Sequence, residues 1–111
     1  FQVLSGDDFT ALPTMAIGGR GVISVVSNFV PGKMAAMCDA ALSGDLTKAK
    51  ALHYAMSPLY RAAFLETNPA PTKEALAMMG RFPFEVRLPM VPLAPANREK
   101  LKTALSEAGL L

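Results

Sequence analysis

Two short apolar segments separated by a helix-forming stretch constrain this chain more than any other feature. Phe1-Gln2-Val3-Leu4 reads as a strand, and Val22-Ile23-Ser24-Val25-Val26 is a β-branched run of the length expected for a strand buried on both faces. Between them, Ser5-Gly6-Asp7-Asp8 supplies a turn and then a helix N-cap. The segment from Asp8 to Ile17 places Phe9, Leu12, Met15 and Ala16 on roughly one face. Pro13 lies where a helix interior would lose a hydrogen bond, so the helix is expected to be short or irregular. Gly18-Gly19-Arg20-Gly21 then stops it. Strand, helix and strand at this spacing form a βαβ unit, because parallel strands need such a crossover.

From Pro31 onward every strong signal is helical. Met34, Met37, Cys38, Ala41 and Leu42 follow the i, i+3, i+4, i+7, i+8 pattern, with Pro31 near the first turn and Gly44 just past the end. Asp45 caps a longer helix with Leu46, Ala49, Leu52, Met56, Leu59, Tyr60, Ala63 and Phe64 as its stripe, and Pro58 is expected to kink it. After Asn68-Pro69, Pro71 opens a short helix carrying Leu76 and Met79 and closed by Gly80. The Pro-rich passage from Arg87 to Leu93 leads to a last helix with Leu101, Ala104, Leu105 and Ala108 inward and Gly109 at its end.

Two parallel strands followed by helices cannot close a sheet alone, and their open edges invite pairing with further strands. A chain of 111 residues also falls well short of the about 250 that a (β/α)8 barrel takes. The expected fold class is therefore α/β: the tail of a larger protein entered in mid-fold, most naturally a barrel followed by a small helical appendix.

Charge and composition remove several function classes. With 11 Lys+Arg against 9 Asp+Glu and 7% aromatic residues, no basic stripe or stacking platform for nucleic acid is present. Gly, Pro, Lys or Asp breaks every apolar stretch before the ~20 residues a membrane span requires, so no membrane partner is expected and the chain is read as cytoplasmic. Cys38 and His53 are the single cysteine and single histidine, too few for a disulfide or a structural zinc site, so no metal and no cofactor is expected.

Local motifs give no complete catalytic apparatus. Asp7 and Asp8 follow a strand, where barrel enzymes build their sites, but Asp7 as a cap explains the pair better than acid/base chemistry. The Gly18–Gly21 cluster closes a helix and precedes a strand, the reverse of a nucleotide-binding loop. Ile23 reads as plain core, although a main-chain carbonyl there could still bind a ligand. Cys38 reads as a buried structural thiol, His53 as a helix-surface or packing residue, and the methionines at helical spacing as core or subunit contact. A Schiff-base enzyme needs a desolvated lysine, usually at a strand end. Lys33, Lys48, Lys50, Lys73, Lys100 and Lys102 all fall on polar positions of predicted helices.

The order of motifs carries a resemblance that no single motif does. Leu4-Ser5-Gly6-Asp7-Asp8, Gly18-Gly19-Arg20-Gly21-Val22-Ile23-Ser24-Val25, Asn68-Pro69-Ala70-Pro71-Thr72-Lys73 and Arg87-Leu88-Pro89-Met90-Val91-Pro92-Leu93 together resemble the C-terminal part of the dihydrodipicolinate synthase family. The glycine-rich strand motif is shared with N-acetylneuraminate lyase and other pyruvate aldolases, whereas the Asn-Pro-x-Pro and Arg-Leu-Pro segments point to the synthases. Val26-Ser27-Asn28-Phe29 departs from the family's usual Thr-Ala-Asn-Val-type sequence, a change able to tune the aldehyde accepted.

The resemblance implies a TIM barrel in which residues 1–44 form the last two βα units and residues 45–111 a C-terminal helical region. It implies a lyase of lysine and diaminopimelate biosynthesis that joins pyruvate to aspartate semialdehyde through a lysine Schiff base. That lysine, and the tyrosine that relays protons, belong to the N-terminal part of the same barrel, so no catalytic residue is assigned within this chain. What remains here is one wall of the pocket: Gly6 beside bound pyruvate, and Ile23 contacting it through its main chain. The family's usual homotetramer implies that Pro13, Ile17 and Tyr54 lie near a subunit boundary. The alternatives are another class I pyruvate aldolase of the N-acetylneuraminate lyase kind and a non-enzymatic helical interaction module.

Overall fold

The computed structural model describes all residues from Phe1 to Leu111. Five α-helices account for most of the ordered backbone: α1 (Ala11–Ala16), α2 (Pro31–Leu42), α3 (Leu46–Ala62), α4 (Ala70–Met78) and α5 (Pro95–Glu107), with a 3₁₀ turn at Val26–Asn28. The chain divides into two compact units, Phe1–Ser57 and Pro58–Leu111, so that α3 begins in the first and ends in the second.

In the first unit the expected strands do not form as named elements. Val3 to Ser5 and Arg20 to Ile23 are nevertheless paired in parallel. The Arg20 N–H donates to the Val3 carbonyl (2.8 Å), the Ser5 N–H to Gly21 (2.9 Å) and the Ile23 N–H to Ser5 (2.8 Å), which leaves a single bridge between Ser5 and Val22. Parallel pairing through a crossover is thus present, while the strand expected over Val22–Val26 turns at Val25 into the 3₁₀ segment. Two short segments without flanking neighbours hold too few ladder bonds for regular strands.

The α1 helix is shorter than the span from Asp8 to Ile17, as Pro13 demands, and its inward residues are Ala11, Leu12 and Met15. Phe9 and Ala16, expected inward, are exposed. This helix packs on α2, and α2 on the 3₁₀ turn. The α2 stripe buries Met34, Met37 and Ala40, with Pro31 at its start and Gly44 in the left-handed conformation (φ 85°) beyond its end. Asp45 caps α3 as expected, its Oδ1 accepting the Lys48 N–H at 3.0 Å. Leu46, placed on the buried stripe, is exposed.

In the second unit, α4 packs on α5. The buried face of α4 is Ala70, Pro71, Thr72, Glu74 and Ala75, rather than Leu76 and Met79, which are half-buried. Buried Glu74 turns toward Arg98 on α5, whose Nε donates to Glu74 Oε1 at 2.7 Å. Glu66 Oε1 accepts the Ala94 N–H (2.8 Å) and Asn97 Nδ2 (2.9 Å), which satisfies the opening of α5 from a residue 28 positions earlier. Leu101 and Leu105 carry the inward face of α5, with Ala104 and Ala108 half-buried, and Gly109 (φ 71°) ends the helix. Phe64, expected on the α3 stripe, lies beyond the end of that helix and is exposed.

Candidate functional site

The loop Ser5–Asp8 and the segment Val22–Val26 draw main chain from two distant stretches together. Ser5, buried, organises the loop. Its Oγ donates to the Asp7 carbonyl (2.8 Å), accepts the Asp7 N–H (3.2 Å) and shares a hydrogen bond with Thr10 Oγ1 (2.8 Å). Asp7 Oδ1 accepts the Phe9 N–H at 2.7 Å, a local Asx-type turn that precedes α1 rather than the helix cap expected of it, because the helix begins only at Ala11.

Asp8 does something the local sequence did not announce. The local sequence assigns the cap to Asp7 and no role to Asp8, which reaches 17 and 18 residues along the chain, where its Oδ2 accepts the N–H groups of Val25 and Val26, each at 3.1 Å. Thr10 precedes α1, with no side-chain cap. Ser24 Oγ accepts the Ser27 N–H at 2.9 Å, so Asp8 and Ser24 together satisfy the opening of the 3₁₀ turn. The Asp8 side chain is only 1% exposed, and its Oδ1 is buried without a hydrogen-bond partner.

Gly6 and Ile23 sit on this frame. A Cβ added at Gly6 would meet nothing within 4 Å, so the loop leaves open space there. The N–H and carbonyl of Gly6, and the carbonyl of Ile23, make no hydrogen bond within the chain. The side chain of Ile23 is 69% exposed, which corrects its reading as plain core: the segment has no neighbouring layer on that side within this chain.

Pro13, Ile17 and Tyr54 are all exposed, Ile17 at 90% and Tyr54 at 69%. Pro13 and Tyr54 line a shallow cavity of about 250 Å³ together with Leu12, Ala16, Leu46, Lys50 and His53, whereas Ile17 does not reach it. His53 stacks edge-on against Tyr54, with ring centroids 5.6 Å apart, and burial pushes its imidazole below the usual histidine range. In the second unit a cavity of about 420 Å³ is lined by Glu66, Thr67, Ala70, Pro89, Met90 and Val91.

Cys38 is half-buried rather than fully buried. Burial, with a smaller push from the Asp39 carboxylate, raises its thiol above the usual range and favours the protonated, less nucleophilic form. No three His, Cys, Asp or Glu side chains cluster to hold a metal ion. Every lysine is exposed except Lys73, whose Nζ donates to the Glu85 carbonyl at 2.8 Å.

The sequence model of the dihydrodipicolinate synthetase family matches residues 1–108. Among curated relatives, the 4-hydroxy-tetrahydrodipicolinate synthases of Oleidesulfovibrio alaskensis and Nitratidesulfovibrio vulgaris are each 60% identical over all 111 residues, which cover 38% of their length. Among solved structures, a dihydrodipicolinate synthase from Thermotoga maritima superposes with a TM-score of 0.97 at 45% identity, covering 100% of this chain and 38% of that one. A monomeric dihydrodipicolinate synthase variant superposes equally well, with a TM-score of 0.97 at 45% identity over 100% of this chain and 37% of the other. The chain therefore spans little more than a third of the length of the proteins it matches, and it belongs to the dihydrodipicolinate synthetase family.

Proposed function

We propose that the chain is the C-terminal part of a 4-hydroxy-tetrahydrodipicolinate synthase, a cytoplasmic lyase that condenses pyruvate with aspartate semialdehyde in lysine and diaminopimelate biosynthesis. The observation that carries this reading is the 60% identity to such synthases sustained over the whole chain. On this reading residues 1–44 are the last two βα units of a TIM barrel and residues 45–111 its C-terminal helical region. The parallel pairing of Val3–Ser5 with Arg20–Ile23 supports the barrel placement, since neighbouring barrel strands run parallel.

The chemistry is a class I aldol addition. A lysine amine from the N-terminal part of the barrel condenses with the pyruvate ketone, releasing water, and the resulting imine acidifies the adjacent methyl group. Loss of a methyl proton gives an enamine, whose carbon forms the new bond to the aldehyde carbon while the aldehyde oxygen takes a proton. The amine of the semialdehyde portion then attacks the regenerated imine carbon, which closes the ring and expels the lysine amine. This chain contributes the pocket wall: the open main chain of Gly6 beside pyruvate and the unengaged carbonyl of Ile23 facing it. The usual assembly of the family is a homotetramer, for which exposed Pro13, Ile17 and Tyr54 are the candidate contacts.

Borohydride reduction in the presence of pyruvate tests the reading. The complete subunit is expected to gain one reduced pyruvate adduct, mapping by peptide mass spectrometry outside residues 1–111. An adduct on any of the lysines within these residues would overturn the assignment.

A further inference from the structure

We propose that Asp8 is the positioning residue of the pyruvate-binding wall: by holding the amides of Val25 and Val26 it fixes the Ile23 carbonyl and the Gly6 turn relative to each other. This rests on the reading of Gly6 and Ile23 as that wall. The geometry supporting it is local and complete. Ile23 is tied on one side by its own N–H to the Ser5 carbonyl (2.8 Å), and on the other by the Asp8 carboxylate two and three residues further on (3.1 Å each). Ser5 and Asp8 bracket Gly6, so one four-residue loop sets both halves of the wall.

The chemical nature of the clamp argues that it does more than cap a turn. A short 3₁₀ segment can be capped by a neutral Ser or Asn side chain, as Ser24 Oγ already does for the Ser27 N–H. Asp8 places a carboxylate at 1% exposure, with Oδ1 lacking any donor within the chain. Burying a partly satisfied carboxylate carries a desolvation cost that a neutral cap avoids. A rigid, short-range acceptor for two adjacent amides is what that cost secures, and catalytic geometry is sensitive to displacements on the order of 1 Å.

The test compares Asp8→Ala and Asp8→Asn in the complete enzyme. Asp8→Ala frees both amides; Asp8→Asn keeps an acceptor but buries an NH₂ group in place of an oxygen. The expected result is a rise in the pyruvate KM on the order of 10- to 100-fold for Asp8→Ala, a smaller rise for Asp8→Asn, and an aldehyde KM within about twofold of wild type. Hydrogen exchange at Val25 and Val26 should accelerate in the same order. Opening of those amides with an unchanged pyruvate KM would overturn the proposal, as would equal shifts in both KM values. If Asp8→Ala does not fold, the same split is read from Asp8→Asn alone. Failure of the wild-type enzyme to form a borohydride-trapped pyruvate adduct would instead overturn the underlying reading of the pocket, and the positioning role with it.

Discussion

Gly19 is buried against the carboxyl end of α1, and adding one methyl group there tests how tightly the crossover is locked onto the paired segments. A Cβ at this position would lie 2.6 Å from Thr14 Cγ2, 2.8 Å from the Thr14 carbonyl oxygen and 3.0 Å from its carbon. Favourable contacts with carbon begin near about 3.5 Å, so relief requires a movement of more than half an ångström or so. Rotating the Thr14 side chain removes only the first clash. The other two involve backbone that also accepts the Gly19 N–H at 2.8 Å, so separating the atoms stretches a hydrogen bond that fixes the turn. Overpacking of this kind costs about 1–3 kcal/mol. Native-state hydrogen exchange at the Gly19 and Ser5 amides reads this locally: Gly19→Ala should accelerate exchange by roughly 5- to 150-fold, since each 1.4 kcal/mol is about a factor of ten. Adding Thr14→Ser, which deletes Cγ2, should leave most of that acceleration in place. Full rescue by Thr14→Ser would show that the carbonyl contact is inconsequential, and a Gly19→Ala exchange rate matching wild type would refute the packing argument altogether.

Further outcomes follow from the other groups described. Glu66→Ala removes the acceptor for the Ala94 N–H and Asn97 Nδ2, and should destabilise the first turn of α5 by about 1–2 kcal/mol, visible as faster exchange confined to that turn. Cys38 should react with iodoacetamide more slowly than a free thiol at neutral pH, and Asp39→Asn should help only slightly, because burial outweighs the carboxylate. His53 is held below its ordinary value of 6.5 by burial, so the unfolded chain binds the extra proton first as pH falls. Its contribution to stability is full above pH 6.5 and is lost as pH falls from there through the lower folded value; His53→Gln should flatten the thermal stability profile on that acid side.

The helical half of the chain was legible because its signals are local. Pro31, Pro71, Gly44, Gly80, Gly109 and the Asp45 cap mark helix boundaries within a turn of where they fall, since each acts on backbone a few residues away. The faces were legible less evenly. On α4 a buried Glu74 and Thr72 displaced Leu76 and Met79 from the inward side, a choice made by the Arg98 partner on α5, and no helical periodicity contains it. Ile23 went the same way: a β-branched residue in an apolar run signals burial, but burial also requires a layer to be buried against.

The candidate site divides along the same line. Gly6 and Ile23 are proposed from the linear motifs, because motif order is a property of the chain and resemblance reads it directly. The Asp8 clamp is not. An aspartate one residue before a helical pattern has the same sequence signature whether it caps the next helix or a turn 17 residues away, and only the crossover that brings Ser5 beside Val22 selects between them. The amino-acid sequence by itself determined the helices, the parallel crossover and the family. Tertiary structure alone decided which backbone amides the buried carboxylate holds, because hydrogen-bond partners distant along the chain are chosen by the folded path between them.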